Sequence, residues 1–195
     1  MAQLLSDRYM KAVNLVADLF RNEQRALTGL PYVVHLYGVC HIVEQLTDDE
    51  DVHLAALLHD VLEDIPTDIY SAPQLEADFG PRVLELIQTV SHNEPKYGKD
   101  QARTVYLQQL KAGSTEACLI SGADMMHNML DILSCYKVDP QRTAQIFGGA
   151  AAKRREWFFD GRYQIISGRL GSTHSLVEQL GSVMQDLRTL HKKIM

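Results

Sequence analysis

A chain of 195 residues, 46% of them hydrophobic, is long enough to bury one sizeable core without staples. Its formal net charge of −6 argues against a broad nucleic-acid surface but leaves room for a small anionic substrate, because a bound cation reverses the field inside an acidic pocket. No run of about 18 uninterrupted apolar residues is present, which speaks against a membrane span, and the three cysteines form no CxxC pair, which speaks against a zinc knuckle or a disulfide framework.

The first residues, Met1 to Arg8, lack the basic stretch and long apolar run of a secretory signal, so the cytoplasm is the expected location. Alternating β-branched segments are scarce and helical spacing recurs, so an all-α domain is expected over 1–195. Ser6 is expected to cap a first helix with apolar positions Met10, Val13, Val16, Ala17 and Phe20. A polar stretch from Arg21 to Gly29 ends it, and Pro31 is expected in the first turn of a second helix running from Tyr32 to about Leu46. Thr47-Asp48-Asp49-Glu50 has the spacing of a capping box, opening a third helix that continues through Leu54, Leu58 and Val61 to Pro66. A fourth helix is expected at Ala72 to Phe79 and a fifth from Pro81, followed by a polar loop from Ser91 to Gln101. Later helices are expected at about 101–112, 114–134, 140–168 and 173–194, with Cys40, Cys118 and Cys135 buried as free thiols.

Three places on these helices carry polar groups in apolar frames. His59-Asp60 sits within Leu57-Leu58-His59-Asp60-Val61-Leu62-Glu63-Asp64, where burial of the polar groups is costly unless a cation or good hydrogen bonds compensate. Asp124 and Asn128 are four apart in Ala123-Asp124-Met125-Met126-His127-Asn128, and His35 lies on the inward side of Tyr32-Val33-Val34-His35-Leu36. Together His35, His59, Asp60 and Asp124 would make a mixed nitrogen and oxygen site, suited to Mn²⁺, Fe²⁺, Co²⁺ or Zn²⁺ rather than to thiolate-preferring ions. His127, beside this motif, is read as packing, and His41, His53, His92, His174 and His191 as surface or packing residues. No Gly-rich phosphate loop, GxSxG elbow or cysteine-nucleophile arrangement is present.

In this order, Gly29-Leu30-Pro31-Tyr32-Val33-Val34-His35, Ala55-Ala56-Leu57-Leu58-His59-Asp60-Val61-Leu62-Glu63-Asp64, Phe79-Gly80-Pro81-Arg82-Val83 and Ala123-Asp124-Met125-Met126-His127-Asn128-Met129 resemble the HD-type hydrolase domain of the RelA/SpoT homologue family, especially its small stand-alone alarmone hydrolases. The resemblance covers roughly residues 10–171, with a further helix at about 173–194, and implies a single-domain helical HD bundle. It implies one Mn²⁺ held by His35, His59, Asp60 and Asp124, and removal of the 3′-pyrophosphate from guanosine tetra- and pentaphosphate. Glu63 and Asp64 match the family's acidic pair, which directs or deprotonates the attacking water, and Asn128 matches a contact near the ribose.

Several positions depart from the family pattern. Ala26 stands where an arginine usually stacks on guanine, so either neighbouring Arg25 reaches in from a shifted loop or base recognition differs. Leu36 replaces a proline, Leu130 an arginine, and Ser121-Gly122 a lysine-leucine pair. Lys153-Arg154-Arg155, with Arg162-Tyr163 and Arg169, resembles the closing helix of longer relatives; these cations are candidate phosphate contacts, with Tyr163 against the sugar or base, and Lys96 and Lys99 are further candidate phosphate contacts. The bland alternative for each cation is a solvated helix face. The expected partner is a small phosphorylated nucleotide, with no nucleic acid and no membrane; a homo-oligomer is compatible with the surface and specified by nothing. Ala26 and Leu130 favour a second reading, a different nucleotide or a nicotinamide dinucleotide phosphate as substrate. A third reading, a non-catalytic nucleotide-binding regulator, is opposed by the retention of Glu63 and Asp64.

Overall fold

The computed structural model describes residues 5–92 and 94–194, with the side chains of 94, 95, 99, 149–151 and 191–194 outside that description. The chain forms an all-helical bundle: α1 (Asp7–Leu19), α2 (Val33–Glu44), α3 (Glu50–Leu58), α4 (Val61–Asp64), α5 (Ala72–Phe79), α6 (Pro81–Thr89), α7 (Glu94–Tyr97), α8 (Lys99–Ala112), α9 (Thr115–Val138), α10 (Pro140–Phe147), α11 (Gly149–Leu170) and α12 (Ser175–Ile194). Among the described residues β pairing is confined to an isolated bridge between Gln24 and Pro31. No helix among them is long and apolar enough to cross a membrane.

Ser6 caps α1 as expected, its hydroxyl accepting from the Tyr9 N–H. The next two helix starts differ from expectation. Pro31 lies before α2 and pairs in the bridge to Gln24, because Arg25 N–H donates to the Leu30 carbonyl and Tyr32 N–H to the Glu23 carbonyl. The cap of α3 is Asp49, whose carboxylate accepts from the Asp51 N–H, while the Thr47 hydroxyl accepts from the Asp49 N–H, so the Thr47–Glu50 capping box does not form. A capping box does form at α5, between Ser71 and Gln74.

The expected third helix is two. α3 stops at Leu58 and α4 restarts at Val61, leaving His59 and Asp60 at the junction. The expected loop after Ser91 contains α7, α8 starts at Lys99, and the expected 140–168 helix is divided at Gly148 into α10 and α11. Cys40 and Cys118 are buried as expected, whereas Cys135 is half-buried near the end of α9.

α9 is the central column, with α2, α3, α6, α8, α10, α11 and α12 packed around it. Its buried residues include Leu119, Ile120, Ala123, Met125, Met126 and Met129, which go round the helix rather than along one stripe, the pattern of a helix enclosed by others. Gly122 explains itself here: a Cβ at this position would come within 2.7 Å of the Leu176 side chain on α12, so the missing side chain lets α12 close against α9. Substituting Ala there is expected to cost about 1–3 kcal/mol in thermal or urea unfolding, the usual range for overpacking.

Candidate active site

Three helical segments converge on one place. His35 comes from the first turn of α2, His59 and Asp60 from the α3–α4 junction, and Asp124 from the middle of α9. His35, His59 and Asp124 each bring one donor atom within 4.8 Å of the others. The Asp124 Oδ1 lies 3.3 Å from His35 Nε2 and 3.8 Å from His59 Nε2. Asp60 completes the cluster, with Oδ1 3.2 Å from His59 Nε2 and Oδ2 3.6 Å from His35 Nε2. Leaving regular helix between Leu58 and Val61 allows adjacent residues 59 and 60, which a continuous helix would point apart, to approach a common point.

The two imidazoles are held by their far nitrogens. His59 Nδ1 donates to the Ala56 carbonyl at 2.8 Å, so the proton sits on Nδ1 and Nε2 faces the cluster. That Nε2 is buried and has no hydrogen-bond partner among the described residues. Burial alone would push the His59 imidazole down, but the Asp60 and Asp124 carboxylates outweigh it and raise it to about 9. A buried nitrogen that attracts positive charge and lacks a hydrogen-bond partner fits a cation ligand. The donor set, two imidazoles with two carboxylates, fits a divalent transition-metal ion.

His35, 1% exposed, has its Nδ1 3.0 Å from Nδ1 of His127. Burial and then the neighbouring His35 push His127 down to about 4, so it is neutral near pH 7. If His35 donates its Nδ1 proton to His127, its Nε2 lone pair is turned toward Asp124 and His59. His127 thus packs edge-on against the His35 ring and is within hydrogen-bond distance of its Nδ1. Gly38 makes room for it, since a Cβ at that position would overlap the His127 ring. Gly38→Ala is expected to displace His127, destabilise the protein by about 1–3 kcal/mol and weaken divalent-metal affinity about 10–100-fold, as loss of a ligand-orienting partner does. Thermal unfolding and calorimetric titration with Mn²⁺ would measure both; unchanged metal affinity would remove His127 from this role.

The carboxylates are differently placed. Burial opposes the Asp124 charge, but Arg162 and the two imidazoles outweigh it and hold the carboxyl well below the usual range. Arg162 Nη2 reaches Asp124 Oδ2 at 2.8 Å, and Asn128 Nδ2 donates to Oδ1 at 2.5 Å. The Tyr32 hydroxyl donates to Asp60 Oδ2 at 2.8 Å. Glu63 Oε1 accepts from the His92 N–H at 2.7 Å, while burial and the Asp60 charge hold its carboxyl well above the usual range. Asp64 is more exposed, at the edge beside Tyr32 and Asp60, and burial followed by the Asp60 charge raises it to about 6.

The cluster opens into a cleft of about 280 Å³, lined also by Arg25, Glu63, His92, Arg103, Tyr106, Asn128, Arg155, Phe158 and Arg162. Arg25 reaches it from the loop after α1: Nε and Nη2 approach Asp131 Oδ2 at 3.1 and 3.0 Å, Nη2 donates to Asn128 Oδ1 at 2.7 Å, and the guanidinium lies 5.6 Å over the Tyr32 ring. Asp64, Lys153, Arg154 and Tyr163 do not line this cleft. Lys153 and Arg154 border a separate depression with Asp100, Arg103, Thr104 and Trp157, and the Tyr163 hydroxyl faces Gly181 on α12. The reason is the turn of α11: residues 155, 158, 159 and 162 share a face, which points into the cleft, and 153, 154 and 163 fall off it. Lys96 lies against the Tyr97 ring, and the side chain of Lys99 is outside the described residues.

The structure adds residues that sequence reading left as packing or unassigned: Tyr32, His92, Arg103, Tyr106 and the Phe147, Phe158 and Phe159 rings. The spacing of Arg155, Phe158, Phe159 and Arg162, at i, i+3, i+4 and i+7, is the signal that would have found the α11 face. His92 stacks on Tyr106 at 4.3 Å, and burial and then the Arg162 charge push it down to about 4.

A family model for the HD domain matches residues 12–148. A Drosophila melanogaster protein named guanosine-3′,5′-bis(diphosphate) 3′-pyrophosphohydrolase is 29% identical over 188 residues, covering 95% of this chain and 97% of the relative. A Haemophilus influenzae protein of the same name is 36% identical over 107 residues, covering 52% of this chain, which spans only 15% of that longer relative. Among solved structures, a metazoan ortholog of SpoT described as hydrolysing ppGpp superposes with a TM-score of 0.74 at 27% identity, over 97% of this chain and 99% of its own. A Listeria monocytogenes protein at 18% identity and TM-score 0.69 shares the fold over 80% of this chain.

Proposed function

We propose, from the premise that this chain belongs to the HD domain family, that it is a metal-dependent hydrolase releasing pyrophosphate from the 3′ position of guanosine tetra- and pentaphosphate. The observation that carries the reading is the convergence of the buried His59 Nε2, which makes no hydrogen bond among the described residues, with His35 Nε2 and Asp124 Oδ1, beside Asp60 and Glu63, in a cleft lined by arginines. The names of the Drosophila and Haemophilus relatives support the choice of substrate. In this reading the chain is a single cytoplasmic catalytic domain.

His35, His59, Asp60 and Asp124 would hold the ion, Mn²⁺ being a good match to two imidazoles and two carboxylates. Such an ion, when bound, lowers the pKa of water and screens phosphate charge. Glu63 lines the cleft and is positioned by the His92 N–H, so it takes the proton of the attacking water. The hydroxyl of that water goes to the phosphorus attached to the 3′ oxygen, the bond between them breaks, and the 3′ oxygen leaves with a proton. Guanosine tetraphosphate thereby gives guanosine 5′-diphosphate and pyrophosphate. Asp64, at the edge, adds negative charge that raises the proton affinity of Glu63 rather than meeting substrate. Asn128 is tied to both Asp124 and Arg25, so it links the cluster to the part of the cleft where Arg25 and Tyr32 offer a flat surface to a base. Lys153, Arg154 and Tyr163 have no step in this scheme.

The test is pyrophosphate release from guanosine tetraphosphate with Mn²⁺, comparing the wild type with Asp60→Ala. Mn²⁺-dependent release that the variant lacks is the expected result. No release by the wild type, with Mn²⁺ shown to be bound, would leave the cluster standing and reject the substrate.

A further inference from the structure

Four arginines line the cleft, and their charges are balanced unequally. Arg25 is paired with Asp131 at 3.0 Å and Arg162 with Asp124 at 2.8 Å. Arg103 is only 20% exposed, yet its nearest carboxylate, Asp100, is 3.9 Å away and 79% exposed. Arg155 has no carboxylate partner among the described residues; its Nη1 donates to the Phe147 carbonyl at 3.2 Å and its guanidinium lies 4.1 Å over the Phe147 ring. Burial, reinforced by the Arg103 charge, holds Arg155 down to about 10.

We propose that Arg103 and Arg155 form a second phosphate site, which takes the 5′-phosphates of the nucleotide and makes the enzyme select substrates phosphorylated at both ends. This rests on the reading that the 3′-diphosphate lies at the His35, His59, Asp60 and Asp124 cluster. Two partly buried guanidiniums, one with only a distant, exposed carboxylate and the other with none among the described residues, are costly until an anion arrives, and their planar forks match phosphate oxygens. Aromatic faces hold both in place beforehand, Phe147 under Arg155 and Phe158 5.8 Å from Arg103. Their position separates them from the cluster. Arg103 also borders the depression with Lys153, Arg154 and Trp157, and Arg155 borders an apolar one with Met129, Phe159 and Met184, whereas the four candidate ligands border neither. The arginines therefore mark the margin of the cleft. Lys153 and Arg154 lie just beyond Arg103, where a longer 5′-phosphate chain would extend. Both Arg155 and Arg162 fall outside the segment matched by the family model, so this margin belongs to the part of the chain that the HD domain itself does not specify.

The experiment compares guanosine 5′-diphosphate 3′-diphosphate with guanosine 3′-diphosphate, whose 5′ position is a free hydroxyl, for the wild type, Arg155→Met and Arg103→Met with Mn²⁺. The wild type is expected to favour the first substrate by about 10–100-fold in kcat/KM, mostly through KM, the range for charged hydrogen bonds. Each variant should lose about 10-fold or more on the first substrate and almost nothing on the second. Equal use of both substrates by the wild type would overturn the proposal without any variant having to fold. So would equal losses on both substrates in the variants, which would put the arginines on the 3′-diphosphate. Binding of guanosine 5′-diphosphate by calorimetry separates this proposal from the reading it rests on. If neither substrate is turned over, weaker binding of this nucleotide by the variants still upholds the 5′ site, and unchanged binding overturns it.

Discussion

Replacing Glu63 with Gln is expected to lower kcat for pyrophosphate release about 10²–10⁴-fold, the range for loss of a general base, while Mn²⁺ binding is retained. Glutamine keeps the shape of the side chain and an oxygen for the His92 N–H, now 2.7 Å from Glu63 Oε1, but it cannot take a proton from water. Burial and the Asp60 charge already hold this carboxyl well above the usual range, so it has the proton affinity that a base needs. Asp64→Asn should cost less, because Asp64 is exposed at the edge and does not line the cleft. Steady-state kinetics with a parallel metal titration would decide the matter. A Glu63→Gln enzyme with near wild-type kcat would move the base role elsewhere, and a loss of metal binding would make Glu63 a ligand.

Arg162→Met should destabilise the metal-free protein by about 3–5 kcal/mol, the cost of removing one partner from a buried ion pair. Arg162 is 3% exposed. Besides Asp124 it serves Ser121, with Nε donating to the hydroxyl at 3.1 Å and Nη2 to the carbonyl, and it lies between the Tyr106 and Phe158 rings at 5.4 and 5.5 Å. Methionine fills much of the volume but leaves Asp124 facing Asp60 without its counter-charge. Saturating Mn²⁺ should restore part of the loss, because an ion bound beside Asp124 supplies positive charge. Lysine at this position should recover some stability but less than all, since one ammonium cannot reach Asp124 and both Ser121 oxygens with a fixed fork. Urea unfolding with chelator and with Mn²⁺ would measure these differences; a loss below about 1 kcal/mol in Arg162→Met would mean that the pair contributes little, as exposed pairs do.

The Arg162 pair also explains a departure read from sequence. Ser121-Gly122 stands where relatives carry lysine-leucine, and both residues have a use in this chain: Ser121 receives Arg162 and the Tyr106 hydroxyl, and Gly122 admits Leu176. The cation that meets Asp124 comes from α11, 38 residues downstream. No local pattern around residue 121 announces these contacts, because Arg162, Tyr106 and Leu176 are its neighbours only in space.

The apolar periodicity, the Ser6 cap and the breakers at Gly80 and Pro81 were enough to identify an all-helical chain and to place α1, α5 and α6, since these depend on contacts within a few residues. The grouping of His35, His59, Asp60 and Asp124 was legible for a related reason: polar side chains in apolar frames are too costly to bury without a shared purpose. The tertiary structure alone decided how those side chains are presented. It divided the third helix at His59-Asp60, turned Arg25 into the cleft, chose Arg155 and Arg162 over Lys153, Arg154 and Tyr163, and set His127 against His35 through the space left by Gly38. Each of these outcomes depends on which face of one helix meets which face of another, and helix–helix packing brings together residues far apart along the chain, whose pairing local spacing does not encode.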